Sequence, residues 1–342
     1  MPGHNSGFVG STESRPTCIC PVTTVTSLDL SSSILRDFPV EDRYLIGVSG
    51  GCDSVALLHW LLQQGYRNLI VCHLNHQLRG RSSAADVLFV RKLAARHDLP
   101  VKIGSIPVRA LAAKQKKSIE TAARDARYSF FAKVTQRTGC RTIFIAHHAD
   151  DLVETFLINL FRGAGLAGLS SLREASSRDI DGVPLTILRP FLHIWRREIA
   201  RYVKKHRLAF REDASNRDMT PLRNRVRHRI IPYLEKSVGR NIRPNIWRTA
   251  RIAAEEESFF ETLLPEGLDA LSALAVEPLQ RMSVAVQRRM LHQWLRGGGV
   301  ANVGFELVER VRGLLDLASG VAKTNLPGDR HARRRAGKLF IE

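Results

Sequence analysis

The sequence predicts an α/β protein with a doubly wound parallel sheet, followed by a smaller, mainly helical C-terminal domain. Over residues 44–146, short apolar runs alternate strictly with stretches of helical periodicity, which is the pattern of βαβ units. The alternation ends near Tyr233, and residues 245–301 carry helical patterns with faint strand signals. With 342 residues, of which 44% are hydrophobic and 25% charged, the chain can form about two globular domains.

Four apolar runs are predicted to be the strands of the sheet. They are, in chain order, residues 44–48, 68–74, 101–108 and 142–146. The first run ends at Ser49-Gly50-Gly51, which favours a turn, and the last leads directly into His147 and His148. Ligands of such sheets bind beyond the carboxyl ends of the strands, so these two turns are the candidate functional segments.

Three helical patterns separate the strands. They begin at residues 53, 83 and 119 and end near residues 64, 97 and 139. Gly65 and Gly139 stand where a helix C-terminus favours glycine. Ser83 and Asp86 form a capping-box pattern that opens the second helix.

Residues 1–40 are predicted to be a flexible leader, because they are rich in Ser and Thr and broken by Gly and Pro. They lack the apolar segment of a signal peptide and the arginine content of a transit peptide. No run approaches the roughly 18 apolar residues of a membrane-spanning helix. The five cysteines form no disulfide framework, so we expect reduced thiols, a cytoplasmic location and no membrane partner.

The net charge favours a polyanionic partner. There are 52 Lys and Arg against 33 Asp and Glu, and the resulting +19 indicates nucleic acid before a membrane surface. Residues 189–229 hold 13 Lys and Arg and 4 Asp and Glu, a net of +9 in 41 residues. Charged runs are usually solvated helix faces, but this run has too few acidic residues to neutralise its basic ones. We therefore predict phosphate contacts for its alternating residues Arg223, Arg225 and Arg227.

The turn after the first strand reads Ser49-Gly50-Gly51-Cys52-Asp53-Ser54. Its glycines let the backbone approach a ligand, and amides of the turn and of the next helix converge on a point that favours an anion. Ser49 and Ser54 would add hydroxyl donors, and Asp53 could reach a Mg²⁺ ion held on bound phosphates. The alternative is a tight turn with Asp53 or Ser54 as an ordinary N-cap.

The second candidate segment, residues 147–155, runs from the fourth strand into a helix. Asp151 and Glu154 share one face of that helix. Acids in a first turn stabilise a helix through its dipole, which would explain each of them but not the preceding His147 and His148. A zinc site is disfavoured, because adjacent His side chains diverge and no further ligand is suitably spaced.

Together these segments resemble a known family. The turn at residues 49–54 is similar to the PP-loop of the N-type ATP pyrophosphatases, which cleave ATP between its α- and β-phosphates. Six further segments occur in the order found in one family of this class, the bacterial tRNA(Ile)-lysidine synthetases: residues 73–79, 126–128, 147–155, 162–169, 212–216 and 223–227. The resemblance covers residues 41–235, with Leu152 standing where the family usually has glutamine.

The resemblance implies an adenine nucleotide alpha-hydrolase-like PP-loop catalytic domain at residues 41–235 and a mainly helical tRNA-binding domain at residues 236–342. It implies that ATP adenylates the wobble cytidine of the isoleucine tRNA with a CAU anticodon. L-lysine would then displace AMP to give lysidine. The sequence leaves a homodimer open as the oligomeric state.

Site residues follow from the same resemblance. ATP and Mg²⁺ would be held by the PP-loop, with Asp53 as the metal ligand: Ser49, Gly50, Gly51, Cys52, Asp53 and Ser54. The catalytic residues would be Asp53, Arg127, His147, Asp151 and Glu154. Asp151 and Glu154 are the candidates for binding the cationic lysine.

Two other functions stay open. A PP-loop tRNA thiolase would activate the same kind of carbonyl for sulfur transfer. Such enzymes tend to carry paired catalytic cysteines, whereas Cys52 and Cys140 are single. A non-catalytic RNA-binding protein is a different class, and the intact Asp53, Asp151 and Glu154 argue against it.

Overall fold

A computed structural model describes residues 33–78, 81–211 and 220–342. Residues 1–32 of the predicted leader, Arg79 and the segment at residues 212–216 lie outside these ranges. The end of the leader region forms a short 3-10 helix, Ser33–Asp37, which packs against the core of the first domain. Within the described ranges, no helix combines the length and apolar character needed to cross a membrane.

Six strands form the first sheet. They are β1 Tyr44–Gly47, β2 Leu69–Asn75, β3 Val101–Ser105, β4 Thr142–Phe144, β5 Ala175–Ile180 and β6 Val183–Leu188. Their spatial order is β3-β2-β1-β4-β6-β5, and every neighbouring pair is parallel except β5 with β6. Ile46 on the inner strand β1 pairs with Val71 on one side and Phe144 on the other. The predicted doubly wound parallel sheet is confirmed, and β5 adds an antiparallel edge strand to it.

Helices cover both faces of this sheet. They are α1 Cys52–Gln63, α2 Arg81–Ala95, α3 Val108–Gln115, α4 Ile119–Thr138, α5 Ala149–Phe161, α6 Leu166–Leu169 and α7 Arg196–Lys205. Ile46 packs in one core cluster with Leu57 of α1, and Leu45 packs in another with Phe131 of α4. Successive residues of β1 face opposite, equally buried sides, which is why the strand reads as a continuous apolar run.

Two predicted boundaries were wrong. Strand β3 ends at Ser105, and Val108 already begins α3, so the third apolar run was assigned too long a strand. Helix α2 begins at Arg81, which places Ser83 inside the helix instead of at its start.

The β5–β6 hairpin was not predicted. Its turn is Asp181-Gly182, and both residues have positive φ angles, 54° and 77°, as a type I′ hairpin turn requires. The two-residue Asp-Gly turn between short alternating runs was a usable sequence signal. It was weak because β5 is a polar edge strand with no buried position.

Helices and a small antiparallel sheet make up residues 220–342. The helical elements are α8 Leu222–Arg225, a π-helical turn Val226–Ile230, α9 Ile231–Val238, α10 Arg243–Thr262, a 3-10 helix Leu268–Ala270, α11 Val276–Arg281, α12 Val284–Gly297 and α13 Phe305–Gly313. The strands are β7 Ala273–Ala275, β8 Lys323–Leu326, β9 Arg330–Arg335 and β10 Lys338–Ile341, in the order β7-β10-β9-β8.

The helical prediction for this region holds, but the small sheet was missed. Its strand β9 is dominated by arginine, and only Ala332 of that strand is fully buried. Ala332 and Leu339 of β10 join the core around Trp294. A charged strand with a single core position carries too little apolar alternation to be recognised from sequence.

Helix α10 packs on α5 and α6 of the first domain. Ala250 and Trp247 of α10 meet Leu152 and Phe156 of α5 there. Leu152, the position where the resembling family usually has glutamine, is 3% exposed in this contact. Its apolar side chain therefore serves packing between the two parts of the chain.

Candidate active site

The turn between β1 and α1 is held in shape by its own serines. Gly50 has a φ of +91°, a left-handed conformation that glycine adopts without strain. The Ser54 hydroxyl accepts a hydrogen bond from the Ser49 amide (3.1 Å) and donates one to the Gly51 carbonyl (3.0 Å). The Ser49 hydroxyl accepts a hydrogen bond from the Gly51 amide (3.2 Å). The two hydroxyl oxygens lie 3.1 Å apart. Both serines thus shape the loop and occupy the amides of Ser49 and Gly51. The amides at the start of α1 are left to meet an anion.

A cleft of about 400 Å³ opens beyond the carboxyl ends of β1, β2 and β4. It brings together six of the predicted site residues from three separate segments: Ser49, Gly51, Asp53, Ser54, Arg127 and His147. Arg127 reaches it from α4, and among the residues that the structure describes none forms a hydrogen bond or ion pair with it. Its guanidinium is therefore available to a bound anion.

Cys52 is the first residue of α1. Burial, and then the neighbouring Asp53, raise the pKa of the Cys52 thiol to about 11. The thiol stays protonated at neutral pH and is not an activated nucleophile. The prediction that Cys52 binds the nucleotide therefore concerns its backbone amide and not its thiol.

Asp53 presents a buried oxygen to the cleft. Its Oδ1 is enclosed and has no hydrogen-bond partner within the described ranges, and Oδ2 lies 3.8 Å from Nε2 of His148. Burial raises the pKa of Asp53, and His148 and Arg196 counter that rise. A carboxylate oxygen without a donor fits a hard cation such as Mg²⁺. No cluster of three or more His, Cys, Asp and Glu in the described part of the chain could hold a metal ion, so such a cation would take further ligands from phosphates and water.

His148 links Asp53 to the start of α5. It is the N-cap of that helix: its Nδ1 accepts from the Asp151 amide (3.4 Å), and Asp151 Oδ2 accepts from the His148 amide (3.0 Å). Nε2 of His148 lies 3.5 Å from Asp151 Oδ2 and 3.8 Å from Asp53 Oδ2. Sequence reasoning chose His147 and missed this bridge, because nothing in the order of the residues says which histidine of the pair turns toward Asp53.

Asp151 and Glu154 form a carboxylate–arginine cluster with Arg223 and Arg227. Glu154 is 0% exposed, and its two oxygens accept from Arg223 Nε (2.8 Å) and from Arg227 Nε (2.5 Å) and Nη2 (3.0 Å). Asp151 Oδ1 lies 3.2 Å from Arg223 Nη2 and 3.5 Å from Arg227 Nη2. Burial raises the pKa of Asp151, but His148, Arg223, His147 and Arg227 together hold it well below its usual range.

The cluster joins α5 to the helical segment that starts at α8. Val153 and Leu157 of α5 pack against Val226 and Ile231, so apolar contacts surround the charges. Arg227 lies in the π-helical turn, a feature that is frequent at functional sites. Arg225, between the two clustered arginines, is exposed. The three predicted tRNA-binding arginines therefore have two different surroundings.

His147 lines the cleft as a neutral imidazole. Its Nδ1 accepts a hydrogen bond from Arg189 Nε at 3.1 Å. Burial, reinforced by Arg189, Arg223 and Arg124, holds the pKa of His147 well below its usual value, although Asp151 favours the charged form. Arg189 was not singled out from the sequence, where it reads as one more basic residue after an apolar run.

Comparison with known families matches two parts of the chain. Residues 27–234 match the PP-loop domain family, and residues 274–340 match the TilS substrate binding domain family. The U34-tRNA thiolase NcsA from Methanococcus maripaludis, solved with its [4Fe-4S] cluster, superposes with a TM-score of 0.50 at 18% identity over 62% of this chain and 72% of its own. This likeness concerns the fold alone.

Curated relatives are similar over most of the chain. The tRNA(Ile)-lysidine synthase of Geobacter sulfurreducens is 37% identical over 298 residues, 84% of this chain and 62% of its own length. That of Chlorobaculum tepidum is 34% identical over 289 residues, 82% of this chain and 85% of its own. That of Solibacter usitatus is 33% identical over 84% of this chain and 64% of its own. The chain thus spans less than two thirds of some relatives and most of another.

Proposed function

Since the chain belongs to the tRNA(Ile)-lysidine synthase family, we propose that it ligates L-lysine to the wobble cytidine of the isoleucine tRNA with a CAU anticodon, using ATP and releasing AMP and diphosphate. One observation supports this most directly. The carboxylate of Asp53 in the PP-loop cleft and that of Asp151 are bridged by a single imidazole, His148, at 3.8 and 3.5 Å. The loop that we propose for phosphate and the carboxylate that we propose for a cation are thus adjacent, as a reaction between an adenylated base and a cationic amine requires.

In the proposed nucleotide site, the hydrogen-bond donors are groups that are not already bonded to another described residue. The amides at the α1 N-terminus would bind phosphate oxygens, and Arg127, which lines the same cleft, would neutralise their charge. Asp53 would hold Mg²⁺, which supplies charge neutralisation on the phosphates. The neutral His147 adds an N–H donor to the same cleft.

The chemistry consists of two displacements. The 2-carbonyl oxygen of cytidine attacks the α-phosphate, and diphosphate leaves. The lysine ε-amine then attacks C2, and AMP leaves with the former carbonyl oxygen. The amine has an ordinary pKa of about 10.4, so it must lose a proton before it attacks.

Lysine arrives with two ammonium groups, and a carboxylate is the natural partner for one of them. Of the two predicted carboxylates, the Asp151 side chain keeps 13% exposure, whereas that of Glu154 has none. We assign the direct contact to Asp151. Glu154 would support it by fixing the two arginines that border the Asp151 carboxylate.

We expect Asp151→Asn to raise the lysine KM by about 10- to 150-fold, the effect of losing a charge-assisted contact of about 1.5–3 kcal/mol. The KM for ATP should change much less. The matched control is Glu235→Gln, which removes a carboxylate that pairs with Arg243 outside the cluster. Steady-state kinetics with each substrate varied would contradict the assignment if both KM values rose equally.

Among the arginines predicted to bind tRNA, the exposed Arg225 is the one free of a carboxylate partner within the described ranges. We expect Arg225→Ala to weaken tRNA binding and to reduce the slope of log K against log salt by about one unit. Arg91→Ala, which removes an exposed arginine on α2, is the control. An unchanged slope for Arg225→Ala would indicate that Arg225 is an ordinary solvated residue of a helix face and does not contact phosphate.

The overall reaction is tested by incubating the protein with ATP, labelled lysine and total tRNA, and digesting the RNA to nucleosides. We expect label in a modified cytidine and one AMP formed per label incorporated. A thiolase would release AMP only with a sulfur donor and leave lysine unused. A non-catalytic RNA-binding protein would release no AMP at all.

A further inference from the structure

Arg189 is a buried cation that the reaction scheme above does not use. It follows β6 directly, and its side chain is 0% exposed. Within the described residues no carboxylate pairs with it. Its side chain contacts His147 Nδ1 (3.1 Å), the Arg173 carbonyl (2.7 Å), the Ser176 hydroxyl (3.0 Å) and the Tyr128 side chain. A buried guanidinium ordinarily needs a carboxylate partner, as Arg289 has in the buried Glu257. Stability alone does not account for an arginine in this place.

The contact with His147 determines where that imidazole carries its proton. A guanidinium has five donors and no acceptor, so the ring nitrogen that it contacts must accept. Nδ1 of His147 therefore holds a lone pair, and the proton of the neutral ring lies on Nε2. Within the described residues nothing bonds to Nε2, and the ring lines the PP-loop cleft.

The groups around His147 oppose its protonation on balance. Three guanidiniums act on the ring from α4, from α8 and from the end of β6: Arg124, Arg223 and Arg189. Asp151 on α5 is the described carboxylate that favours the imidazolium. Burial disfavours the charge further, and the pKa of His147 is held well below its usual value.

We propose that Arg189 is a positioning residue that locks His147 as an Nε2–H donor toward a phosphate oxygen of the bound nucleotide. The inference rests on the proposed function for its ligand, since it assumes a nucleotide in the cleft. Without Arg189, the neutral ring can place its proton on Nδ1 and turn a lone pair toward the phosphate. Protonation at lower pH restores the Nε2–H, because both nitrogens of an imidazolium are donors.

The tautomer is measured first, on the full chain without any ligand. In protein labelled with nitrogen-15 in its 12 histidines, the signal lost in His147→Gln identifies this ring. We expect a protonated Nε2 and an unprotonated Nδ1 from about pH 6 to pH 8, the range in which an ordinary histidine titrates. A proton on Nδ1 would overturn the proposal whether or not the protein makes lysidine.

The second measurement follows tRNA-dependent diphosphate release by Arg189→Met between about pH 6 and pH 8. We expect a rate about 10- to 100-fold below the unsubstituted protein at the upper pH, the usual effect of losing one hydrogen bond to a charged group. The deficit should shrink toward the lower pH, because losing the Arg189 charge and gaining a bound phosphate both raise the pKa of His147. A deficit of equal size at every pH would indicate a merely structural role and contradict the proposal.

Ser176→Ala is the matched control. It removes another partner of the same guanidinium but leaves the His147 contact in place. We expect the nitrogen-15 signature and the ratio of rates across the pH range to stay as in the unsubstituted protein. If Arg189→Met does not fold, the tautomer of the unsubstituted protein still decides the question.

Discussion

Replacing Glu154 with glutamine is expected to lower the free energy of unfolding by about 3–5 kcal/mol, the cost of removing one partner from a buried ion pair. The carboxylate is 0% exposed and accepts from the guanidiniums of both Arg223 and Arg227. An amide offers only one acceptor oxygen, and its NH₂ group would face two cations. Two partly buried guanidiniums would lose their main counter-ion.

Urea or thermal unfolding measures this effect, with a shift in Tm of about 2–4 °C per kcal/mol for a domain of this size. Glu261→Gln is the control, because it also breaks an arginine–glutamate pair, with Arg173, but at a position where the Glu261 side chain is 51% exposed. An exposed pair should contribute less than about 1 kcal/mol. Equal losses for the two variants would show that burial adds nothing to the cluster.

Replacing Asp53 with asparagine is expected to reduce tRNA-dependent AMP formation by about 100-fold or more, the usual loss when a stabiliser of developing charge is removed. The enclosed Oδ1 of Asp53, which no described residue bonds, would no longer offer a negative charge to Mg²⁺. The side chains are nearly the same size, so the fold and the Tm should stay close to those of the unsubstituted protein.

The assay measures AMP against Mg²⁺ concentration. Asp125→Asn, which removes an exposed carboxylate paired with Lys117 on the outer side of α4, controls for the general loss of one negative charge. AMP formation by Asp53→Asn at the rate of the unsubstituted protein would remove Asp53 from the metal site. A loss that rising Mg²⁺ partly restores would support it.

The sequence predicted the parallel-sheet part of the fold well, because that part depends on local patterns. The first strand, residues 44–48, reads as apolar throughout since both of its faces are buried, and the turn at residues 49–51 interrupts it with glycine. Residues that follow the ends of parallel strands meet at one edge of the sheet. This rule alone predicts that Asp53 and His147 lie in one cleft, as they do.

The elements that sequence reasoning missed are those with little apolar signal. Strand β5 is a polar edge, and β9 is a run of arginine in which only Ala332 is fully buried. Such strands form because neighbouring strands offer backbone partners, and backbone hydrogen bonds leave no trace in composition. Their presence is decided by the sheet they join.

The sequence by itself determined the parallel sheet, the glycine turn after its first strand and the set of charged residues near that turn. Only the tertiary structure decided how those charges pair: Arg223 and Arg227 turn inward to Glu154 while Arg225 stays exposed, and Arg189 reaches His147 from 42 positions away. The physical reason is the range of the interactions. Helix and strand patterns arise between residues a few positions apart, whereas the partner of a buried charge is whichever group the fold brings within about 3 Å of it.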